Sequence, residues 1–462
     1  MKNINATDIG DQLNRLVKLA LDTGEAASLG EAERIFAEYK LAVIVGPDVL
    51  RSAVHQAAIL TIVNTGARCL LGGIEVRGLA DDTPLLLPLP GYGSFSAAVT
   101  GLGGKLVTST TSTAPHIVLG DVTADADDFS LALRVTFAGW CGGVAPLNAG
   151  LRLREHGAQI ISGVLAGALA VTEVFQYLRG SNAAAGRRET GLSLWRPELD
   201  WRDPAALGPK IARLPSAAWL IGLGNLGQAY LWILSLLPYA RPEDVHLVLQ
   251  DFDVLKTSNM STSVLTGPEI IGHKKTRALA AWAERRGFQT TIIERPFGAN
   301  FRISSAEPQV ALCGVDNALA RSSLEDVGFA RVIEAGLGKG TSEFLALRLH
   351  CFPGPRPARK IWDDNIQAVG DAVQLDLPAY RNLAEKGVDK CGLTSLAGRT
   401  VGAPFVGLIA ASLVIGELIR LANGAHGYDL IDGHLRSLDH KTVVETRAIP
   451  IFNPGTTNIL SE

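Results

Sequence analysis

The chain has 462 residues, and its 43 basic and 46 acidic side chains give a formal net charge of −3, which does not predict a nucleic-acid-binding or membrane-binding surface. The five cysteines are scattered and form no CxxC pair, so the sequence predicts neither a disulfide framework nor a zinc site and is typical of a reducing cytoplasm. At this length we expect two or three domains, on a prior of roughly 150 residues each.

The first half of the chain is predicted to open as a β-α-β unit. Residues 5–38 are expected to be helical with a break near Gly30, and the polar N-terminus does not resemble a signal peptide. The apolar run at 41–46 predicts a buried strand, residues 49–63 predict a helix, and residues 69–71 predict a second short strand.

The stretch from residue 218 carries the strongest pattern in the chain. An apolar run at 218–222 predicts a buried strand, and the next apolar strand, at 245–249, ends beside Asp251 and Asp253. Three glycines follow the first of these strands in the spacing GxGxxG: Gly222, Gly224 and Gly227. Such a turn lets a phosphate approach a helix N-terminus, and a strand-end acid can bind a ribose hydroxyl. Alone, the pattern indicates a nucleotide, with a plain helix-packing turn as the alternative.

The equivalent turn in the first half lacks these glycines. Asp48 and Arg51 stand there where the second half has Gly224 and Gly227. A carboxylate and a bulky side chain would obstruct a phosphate, so we expect an inactive first half and one nucleotide per chain.

Similar segments recur in the same order in both halves and predict a diverged internal duplication. The matched pairs are 41–46 with 218–222, 134–143 with 331–340, and 163–173 with 407–417. Chance similarity among apolar, glycine- and alanine-rich segments is the alternative. We place the boundary near residue 203, which gives an inactive domain at 1–203 and an active domain at 204–462. The second half has about 47 extra residues, assigned to an inserted, cysteine-containing segment at about 341–400, and long insertions are usually functional.

The longest uncharged apolar stretch is residues 400–416, which falls short of the ~20 residues that a membrane span needs. We therefore expect a soluble, cytoplasmic protein without a membrane segment.

Further polar residues follow the predicted strands of the second half. They are Ser258, Asn259, Lys275, Asp316 and Asn317. In a doubly wound sheet they would lie at the carboxyl ends of strands, where ligands bind. ATP with Mg²⁺ would use this set, with Lys275 countering phosphate charge, Asp316 holding the metal and Asn259 donating to a phosphate. A nicotinamide enzyme has no need of these three residues.

Each of these residues also has a purely structural interpretation. Asp251 could cap a strand end, and Lys275 could begin a solvated helix. Asp316 and Asn317 could form an ordinary helix cap.

Together the motifs resemble the adenylating family of ubiquitin-activating (E1) enzymes, including the E1 of bacterial ubiquitin-like conjugation systems, and the related activators of sulfur-carrier proteins. The shared motifs are Gly222-x-Gly-x-x-Gly, Asp251-x-Asp253, Ser258-Asn259, Gly272-x-x-Lys275 and Val315-Asp316-Asn317. The similarity is dense over residues 217–345 and resumes at Cys391 and at residues 407–424. In this family an inactive half pairs with an active one, so the resemblance implies an α/β fold with two Rossmann-like halves in an intrachain pseudo-dimer.

The resemblance also implies roles for the site residues. The ATP site would consist of Gly222, Gly224, Gly227, Asp251, Asp253, Asn259, Lys275 and Asn317. Within it, Asp253, with Asp251 behind it, would bind the ribose, while the glycines, Asn259 and Lys275 would contact phosphates. Asp316 would bind Mg²⁺.

Two departures from the family pattern concern the charge of the triphosphate. The family usually has Ser-Asn-x-x-Arg, but Thr262 stands at the arginine position. The first half also lacks the usual arginine before its first glycine and has Gly24 in the approximate place. The arginine that neutralises the triphosphate is therefore unassigned. The zinc-binding CxxC pairs of many sulfur-carrier activators are missing too, which favours conjugation over cofactor biosynthesis and predicts no zinc.

Cys391 is the candidate nucleophile. It follows a polar loop and stands near Lys386, Lys390 and Arg399, so an exposed and reactive thiol is expected, with a structural loop cysteine as the alternative. The remaining cysteines, for which no catalytic role is expected, are Cys69, Cys141, Cys313 and Cys351.

The sequence therefore predicts ATP-dependent adenylation of the C-terminal carboxylate of a ubiquitin-like protein, thioester formation on Cys391 and transfer to an E2-like carrier enzyme. One alternative is an activator of a sulfur carrier or a peptide, which needs no cysteine relay. A nicotinamide-dependent oxidoreductase and a nucleotide-sensing scaffold are further alternatives.

Overall fold

The computed structural model describes residues 6–124, 128–367 and 375–460, and its first half folds around one sheet flanked by helices. The helices are α1 (Ala6–Gln12), α2 (Val17–Asp22), α3 (Leu29–Ala37), α4 (Ala53–Cys69), α5 (Phe95–Gly101) and α6 (Ile160–Arg179). The strands are β1 (Lys40–Val45), β2 (Gly73–Arg77), β3 (Gly104–Val107), β4 (His116–Leu119), β5 (Ala132–Ala138), β6 (Cys141–Pro146) and β7 (Thr190–Ser193).

The second half contains a second large sheet and a small two-stranded one. Its helices are α7 (Asn225–Leu236), α8 (Lys275–Arg285), α9 (Ala318–Ser322), α10 (Gly340–Glu343), α11 (Ala358–Gln367), α12 (Pro378–Glu385), α13 (Lys390–Ala397) and α14 (Pro404–Ala422). Its strands are β8 (Arg213–Pro215), β9 (Ala217–Ile221), β10 (His246–Gln250), β11 (Gln289–Ile293), β12 (Val310–Cys313), β13 (Arg331–Leu337), β14 (Ala346–Phe352), β15 (Tyr428–His434), β16 (Thr442–Glu445) and β17 (Thr456–Asn458).

Both large sheets have the same topology. The first has the order β3-β2-β1-β4-β5-β6-β7, and the second has the order β11-β10-β9-β12-β13-β14-β15-β16. In each sheet five neighbouring strands are parallel, and the strands after β5 or β13 run antiparallel. The predicted α/β fold with two related Rossmann-like halves is therefore confirmed.

The extra residues of the second half lie after β14. This strand pairs with β13 as β6 pairs with β5, so Cys351 belongs to the repeated sheet. The first half joins β6 to α6 through residues 147–159, whereas the second joins β14 to α14 through residues 353–403, which include α11, α12 and α13. The start of the inserted segment therefore moves from residue 341 to residue 353. The boundary proposed near residue 203 falls in the connection between the two sheets.

Two local predictions in the first half differ from the structure. Residues 69–71 do not form a strand, because α4 continues to Cys69, whose thiol donates to the Thr65 carbonyl one turn earlier. A short apolar run has no periodicity that distinguishes the end of a buried helix from a strand. Gly30 does not break a helix, since it lies in the first turn of α3, which Ser28 caps.

The two halves pack through their longest helices, α4 and α6 from the first half and α7 and α14 from the second. Phe175 of α6 and Phe405 of α14 lie with their ring centroids 5.4 Å apart. Within the first half, glycines let α6 approach α4 closely, since a Cβ atom at Gly163 or Gly167 would lie 2.5 Å from a backbone oxygen of α4. By length and composition α6 and α14 could cross a membrane, but 89% and 94% of their apolar windows are buried inside the protein.

Buried charges tie α14 to the second sheet. Arg331 of β13 lies 3.7 Å from Glu417 of α14 and 4.0 Å from Asp429 of β15, and Glu417 also pairs with Arg420. All four residues are buried. Tyr428 donates its backbone N–H to Glu417. The network balances two arginines with two carboxylates, so removal of one partner leaves an uncompensated charge in the core.

We expect Glu417→Ala to lower the free energy of unfolding by about 3–5 kcal/mol, because two buried arginines lose their shared partner. The control is Glu243→Ala on the surface, where Glu243 and Arg241 are 60% and 66% exposed and the loss should stay below about 1 kcal/mol. Guanidinium unfolding followed by circular dichroism measures both. Equal shifts of the two midpoints would contradict the importance of the network.

Candidate active site

The candidate residues converge at the carboxyl edge of the second sheet. β10, β9 and β12 are adjacent parallel strands, and Asp251, Gly222 and Asp316 follow their respective ends. Two backbone hydrogen bonds extend the ladder beyond the strands, from the Gly222 N–H to Gln250 and from the Gly314 N–H to Ile221, each 2.9 Å long. The sheet therefore places the glycine turn between the two acidic strand ends, which is the usual ligand position in this type of sheet.

The three glycines of the turn differ in what they do. Gly222 has a φ of +85°, which residues other than glycine rarely adopt. A Cβ atom at Gly224 would meet no atom of the described residues beyond its chain neighbours within 4 Å, so this position is open. A Cβ atom at Gly227 would lie 2.0 Å from the Gly222 carbonyl oxygen, so this glycine lets α7 pack against the turn. Gly227 thus shapes the glycine turn through close packing.

Asp251 and Asp253 have distinct surroundings. Asp251 is buried and accepts hydrogen bonds of 2.8 Å from the N–H groups of Leu223 and Asp253. The carboxylate thereby fixes the glycine turn to the strand end, which agrees with its predicted place behind Asp253. The Asp253 side chain is 52% exposed, and one of its oxygens pairs with Lys275.

Lys275 begins α8 and carries the positive charge of this edge. Its Nζ lies 2.8 Å from Asp253 and 3.5 Å from Asp251, and its side chain is 10% exposed. The lysine therefore pairs with both aspartates, one of which binds the glycine turn.

Asn259 lies in a short 3₁₀ turn, residues 257–261, that we call the phosphate loop. Its Oδ1 accepts the Lys256 N–H at 2.8 Å. Its Nδ2 group donates to no residue in the described parts of the chain, so it remains available to a phosphate oxygen.

Asp316 and Asn317 follow β12, and only Asn317 acts as a helix cap. The Asn317 Oδ1 caps α9 by accepting the N–H groups of Leu319 and Ala320, which matches the helix-cap interpretation. Asp316 is exposed, and its carboxylate has neither a hydrogen bond nor an ion pair with the described residues.

A metal at this edge would depend on Asp316. Within residues 6–124, 128–367 and 375–460, no group of three or more His, Cys, Asp or Glu side chains could hold a metal by itself. Mg²⁺ that accompanies a nucleotide usually takes one or two carboxylates, with phosphate oxygens and waters as its other ligands. A single free carboxylate at the strand end fits that kind of site.

The first half supplies residues to this site that the sequence pattern did not reveal. Arg68 of α4 donates to the carbonyls of Met260, Val264 and Thr266, and Asn64 donates to Val264 at 3.1 Å. Burial lowers the pKa of Arg68 to about 10, so it stays cationic at neutral pH. The inactive half therefore holds the chain segment that contains and follows the phosphate loop.

Arg15 is a second contribution from the first half. Its Nη2 lies 3.4 Å from the Ser258 Oγ, and its backbone N–H donates to the Ser261 Oγ at 3.0 Å. Burial and the nearby charge of Arg399 lower the pKa of Arg15. Arg15, the first arginine in the chain, thus lies beside the phosphate loop together with Arg68, whereas the family pattern has its arginine near the place of Gly24.

The same edge of the first sheet is filled by protein side chains. The Asp48 carboxylate, in the position of Gly224, accepts the Asp121 N–H and lies 3.7 Å from Arg152. Arg152 also pairs with Glu155 at 2.7 Å, and His55 lies 3.1 Å from that carboxylate. These contacts occupy the position where the second half leaves space.

All five cysteines lie in described residues, and Cys391 is the exposed one among them. It stands in the first turn of α13, which Asp389 caps through the Gly392 N–H at 2.6 Å. Burial raises the pKa of Cys141 to about 11 and that of Cys313 to about 12. Cys69 and Cys351 are also buried and have raised pKa values.

Models of two protein domains match this chain. The BilD N-terminal domain matches residues 40–194, and the BilD C-terminal domain matches residues 214–425. The two matches fall on the two sheets, and together they span most of the chain.

A relative and several solved structures were also found. The Bacterial E1-like protein BilD of Collimonas sp. (strain OK412) is 45% identical over 426 residues, which are 92% of each chain. A crystal structure of E. coli MccB matches 54% of this chain and 67% of its own at 12% identity, with a TM-score of 0.32. The structure of E. coli MccB with ATP matches 51% and 64% at 13% identity, with a TM-score of 0.31. The family models and the 45% identical relative confirm the resemblance to E1-like proteins, and the chain belongs to the BilD family of bacterial E1-like proteins.

Proposed function

We propose that this protein activates a small ubiquitin-like protein in three steps. It adenylates the C-terminal carboxylate with ATP, takes the acyl group onto Cys391 as a thioester and passes it to an E2-like carrier in the cytoplasm. The observation that carries the proposal is the difference between the two sheet edges. Gly224 leaves an open space in the glycine turn, and Lys275 pairs with Asp251, which binds that turn. In the first half Asp48 fills the equivalent space.

In the first step, a carboxylate oxygen of the partner's C-terminus attacks the α-phosphorus of ATP. The bond from that phosphorus to the β-phosphate bridging oxygen breaks, and pyrophosphate leaves with the electron pair. The glycine turn, Lys275 and Arg15 orient the phosphates and offset their charge, which is how sites for such chemistry accelerate it. When bound, Mg²⁺ would offset further phosphate charge, with Asp316 as its protein ligand.

In the second step, the Cys391 thiolate attacks the acyl carbon, and AMP leaves. A carboxylate is a poor acyl donor, whereas the mixed anhydride with AMP has a good leaving group, so the relay divides one difficult step into two. The exposure of Cys391 supports this role, because the other four thiols are buried. A thiol relay also needs reduced cysteines, in agreement with a cytoplasmic protein.

The alternative functions differ in which of the candidate site residues would have no role. An activator of a peptide or a sulfur carrier uses the same ATP site without Cys391. A nicotinamide-dependent enzyme leaves Lys275, Asn259 and Asp316 without a role. A nucleotide-sensing scaffold would bind ATP and release no pyrophosphate.

We expect isothermal titration calorimetry to show that the chain binds one Mg–ATP and no NAD(H). The second sheet has an open glycine turn, whereas Asp48 occupies the first. Binding of NAD(H) without ATP would exclude adenylation, and a stoichiometry of two would contradict the inactive first half.

Asp316→Ala should lower the rate of ATP–pyrophosphate exchange, measured with the ubiquitin-like partner, by roughly 10²- to 10³-fold, because a charge-stabilising ligand is lost. The melting temperature should not change, since Asp316 is exposed and its carboxylate has no hydrogen bond or ion pair with the described residues. Asp82→Ala, another exposed aspartate, is the matched control and should retain full exchange. Exchange at the wild-type rate in Asp316→Ala would remove the metal role from this residue.

Cys391→Ala should leave ATP–pyrophosphate exchange largely intact but abolish the thiol-sensitive adduct with the partner, because the nucleophile acts after adenylation. Cys391→Ser should form an adduct that resists reductant, since an oxygen ester is a poorer acyl donor than a thioester. Mass spectrometry of the non-reduced adduct locates the attached residue.

Cys351→Ala is not a suitable control, because Cys351 is buried in β14 and its replacement alters the core. Ser395→Ala is a better control, because Ser395 is exposed on the same helix as Cys391. An adduct that persists in Cys391→Ala would mean that the chain transfers the acyl group without this cysteine.

A further inference from the structure

We propose that Arg321 is a positioning residue for the adenylation site and that Trp362 of the inserted segment holds its guanidinium in place. This inference rests on the proposed function, because it concerns how Asp316 is presented to Mg–ATP. Arg321 lies in α9, immediately after the site residues, and Trp362 lies in α11.

The Arg321 guanidinium joins the ends of two strands. Its Nε donates to the Val315 carbonyl at 2.7 Å, and its Nη2 lies 3.5 Å from the Ala335 carbonyl. Val315 is the residue before Asp316, so this hydrogen bond fixes the backbone that carries the free carboxylate. A second constraint is steric, because a Cβ atom at Gly336 would lie 3.1 Å from the Arg321 Nη1.

A buried carboxylate holds the Arg321 guanidinium in position. Glu334 of β13 is fully buried and lies 3.2 Å from the Arg321 Nε, and it also lies 3.1 Å from the Nδ1 of His350 in β14. The Arg321 side chain is itself only 11% exposed. A buried carboxylate needs a cation at this distance, so the guanidinium cannot move away without leaving an uncompensated charge.

Trp362 closes the remaining side. The Arg321 Cζ lies 4.6 Å from the Trp362 ring centroid, which is a cation–π contact. The start of α11 is bound to the turn after α9, where Glu325 accepts the Ala358 N–H and Asp326 pairs with Arg359 at 3.0 Å. The first helix of the inserted segment is thereby attached to the residue that orients the Asp316 backbone.

This arrangement occurs in the half that has the open glycine turn. The pair Glu334 and His350 is formed across β13 and β14, and the equivalent pair across β5 and β6 is Phe137 and Gly142. Those two residues carry no charge, and the buried carboxylate at this edge of the first half, Glu155, comes from a loop and pairs with Arg152 and His55 instead. The carboxylate–histidine pair across the two strands is therefore a feature of the second half.

The consequence concerns binding of metal rather than binding of the nucleotide alone. Loss of Arg321 frees the Val315 carbonyl and loosens the backbone at Asp316. The glycine turn remains bound by Asp251, and Lys275 remains at the start of α8. Replacement of residues that orient a metal ligand typically costs about 10–100-fold in metal affinity. We expect that loss in binding of Mg–ATP and little change in binding of metal-free ATP.

The test is isothermal titration calorimetry of the full chain with ATP, once with excess Mg²⁺ and once with EDTA. Arg321→Lys keeps the charge but loses the planar fork that reaches Val315 and Ala335 together. It should weaken binding about tenfold or more with Mg²⁺ and less than about twofold with EDTA. Trp362→Ala should give the same pattern, and Trp362→Phe, which keeps an aromatic face, should restore most of the loss.

Lys360→Ala is the matched control, because Lys360 is an exposed cation on the same helix as Trp362 and has no ion pair with the described residues. It should bind ATP like the wild-type chain under both conditions. Arg321→Ala is informative only if its melting curve shows a folded protein, and Arg321→Lys otherwise carries the test.

The outcomes separate the two proposals. If wild-type protein binds no ATP, or binds it without pyrophosphate exchange in the presence of its partner, the proposed function fails before any variant is compared. If wild-type protein is active and Arg321→Lys weakens both titrations equally, Arg321 only stabilises the fold. If neither titration changes, Arg321 has no part in positioning Asp316. Either of these last two results overturns the inference.

Discussion

The candidate site in the second half of this protein depends on a cation from the first half. Arg68 donates to three backbone carbonyls in the chain that contains and follows the phosphate loop. Buried carbonyls need hydrogen-bond donors, and in residues 260–266 those donors come from another domain rather than from a helix or a sheet. Arg15 contacts the same loop at Ser258. The phosphate loop is therefore shaped by the contact between the halves, so the first half supports the candidate site although its own sheet edge is filled.

The duplication gives the two halves one scaffold and two different kinds of edge. Strand order and hydrogen-bond pattern match, so the carboxyl ends of the strands present a ligand position in each half. In the first half Asp48, Arg152 and Glu155 satisfy one another there. In the second half Gly224 has no side chain, and the exposed carboxylates of Asp253 and Asp316 stand on either side of the turn. In the second half a bound nucleotide with its metal would occupy the place that mutually paired side chains occupy in the first half.

The sequence predicted those parts of the site that depend on neighbours along the chain. The glycine spacing and the strand-end acids follow from local rules, and the structure places Gly222, Asp251 and Asp316 at the ends of three adjacent strands. The contacts of Arg68 and Arg321 could not be predicted, because each joins residues that only the assembled fold brings together. The predicted boundaries of helices and strands were wrong where the hydrophobic pattern was short. The run at 69–71 contains too few residues to show a period, and β14 was assigned to the insertion because only its pairing identifies it.

The packing of α6 against α14 also has a consequence for synthesis of the chain. Both helices are apolar around their circumference, so neither has a polar face that could be exposed to water before the two helices pack. On a ribosome α6 is complete at residue 179, whereas α14 is complete only at residue 422. At typical elongation rates, the surface of α6 that packs against α14 stays uncovered for about 10–50 s after α6 is made. We expect the newly made first half to be prone to aggregation during that interval unless this surface is protected.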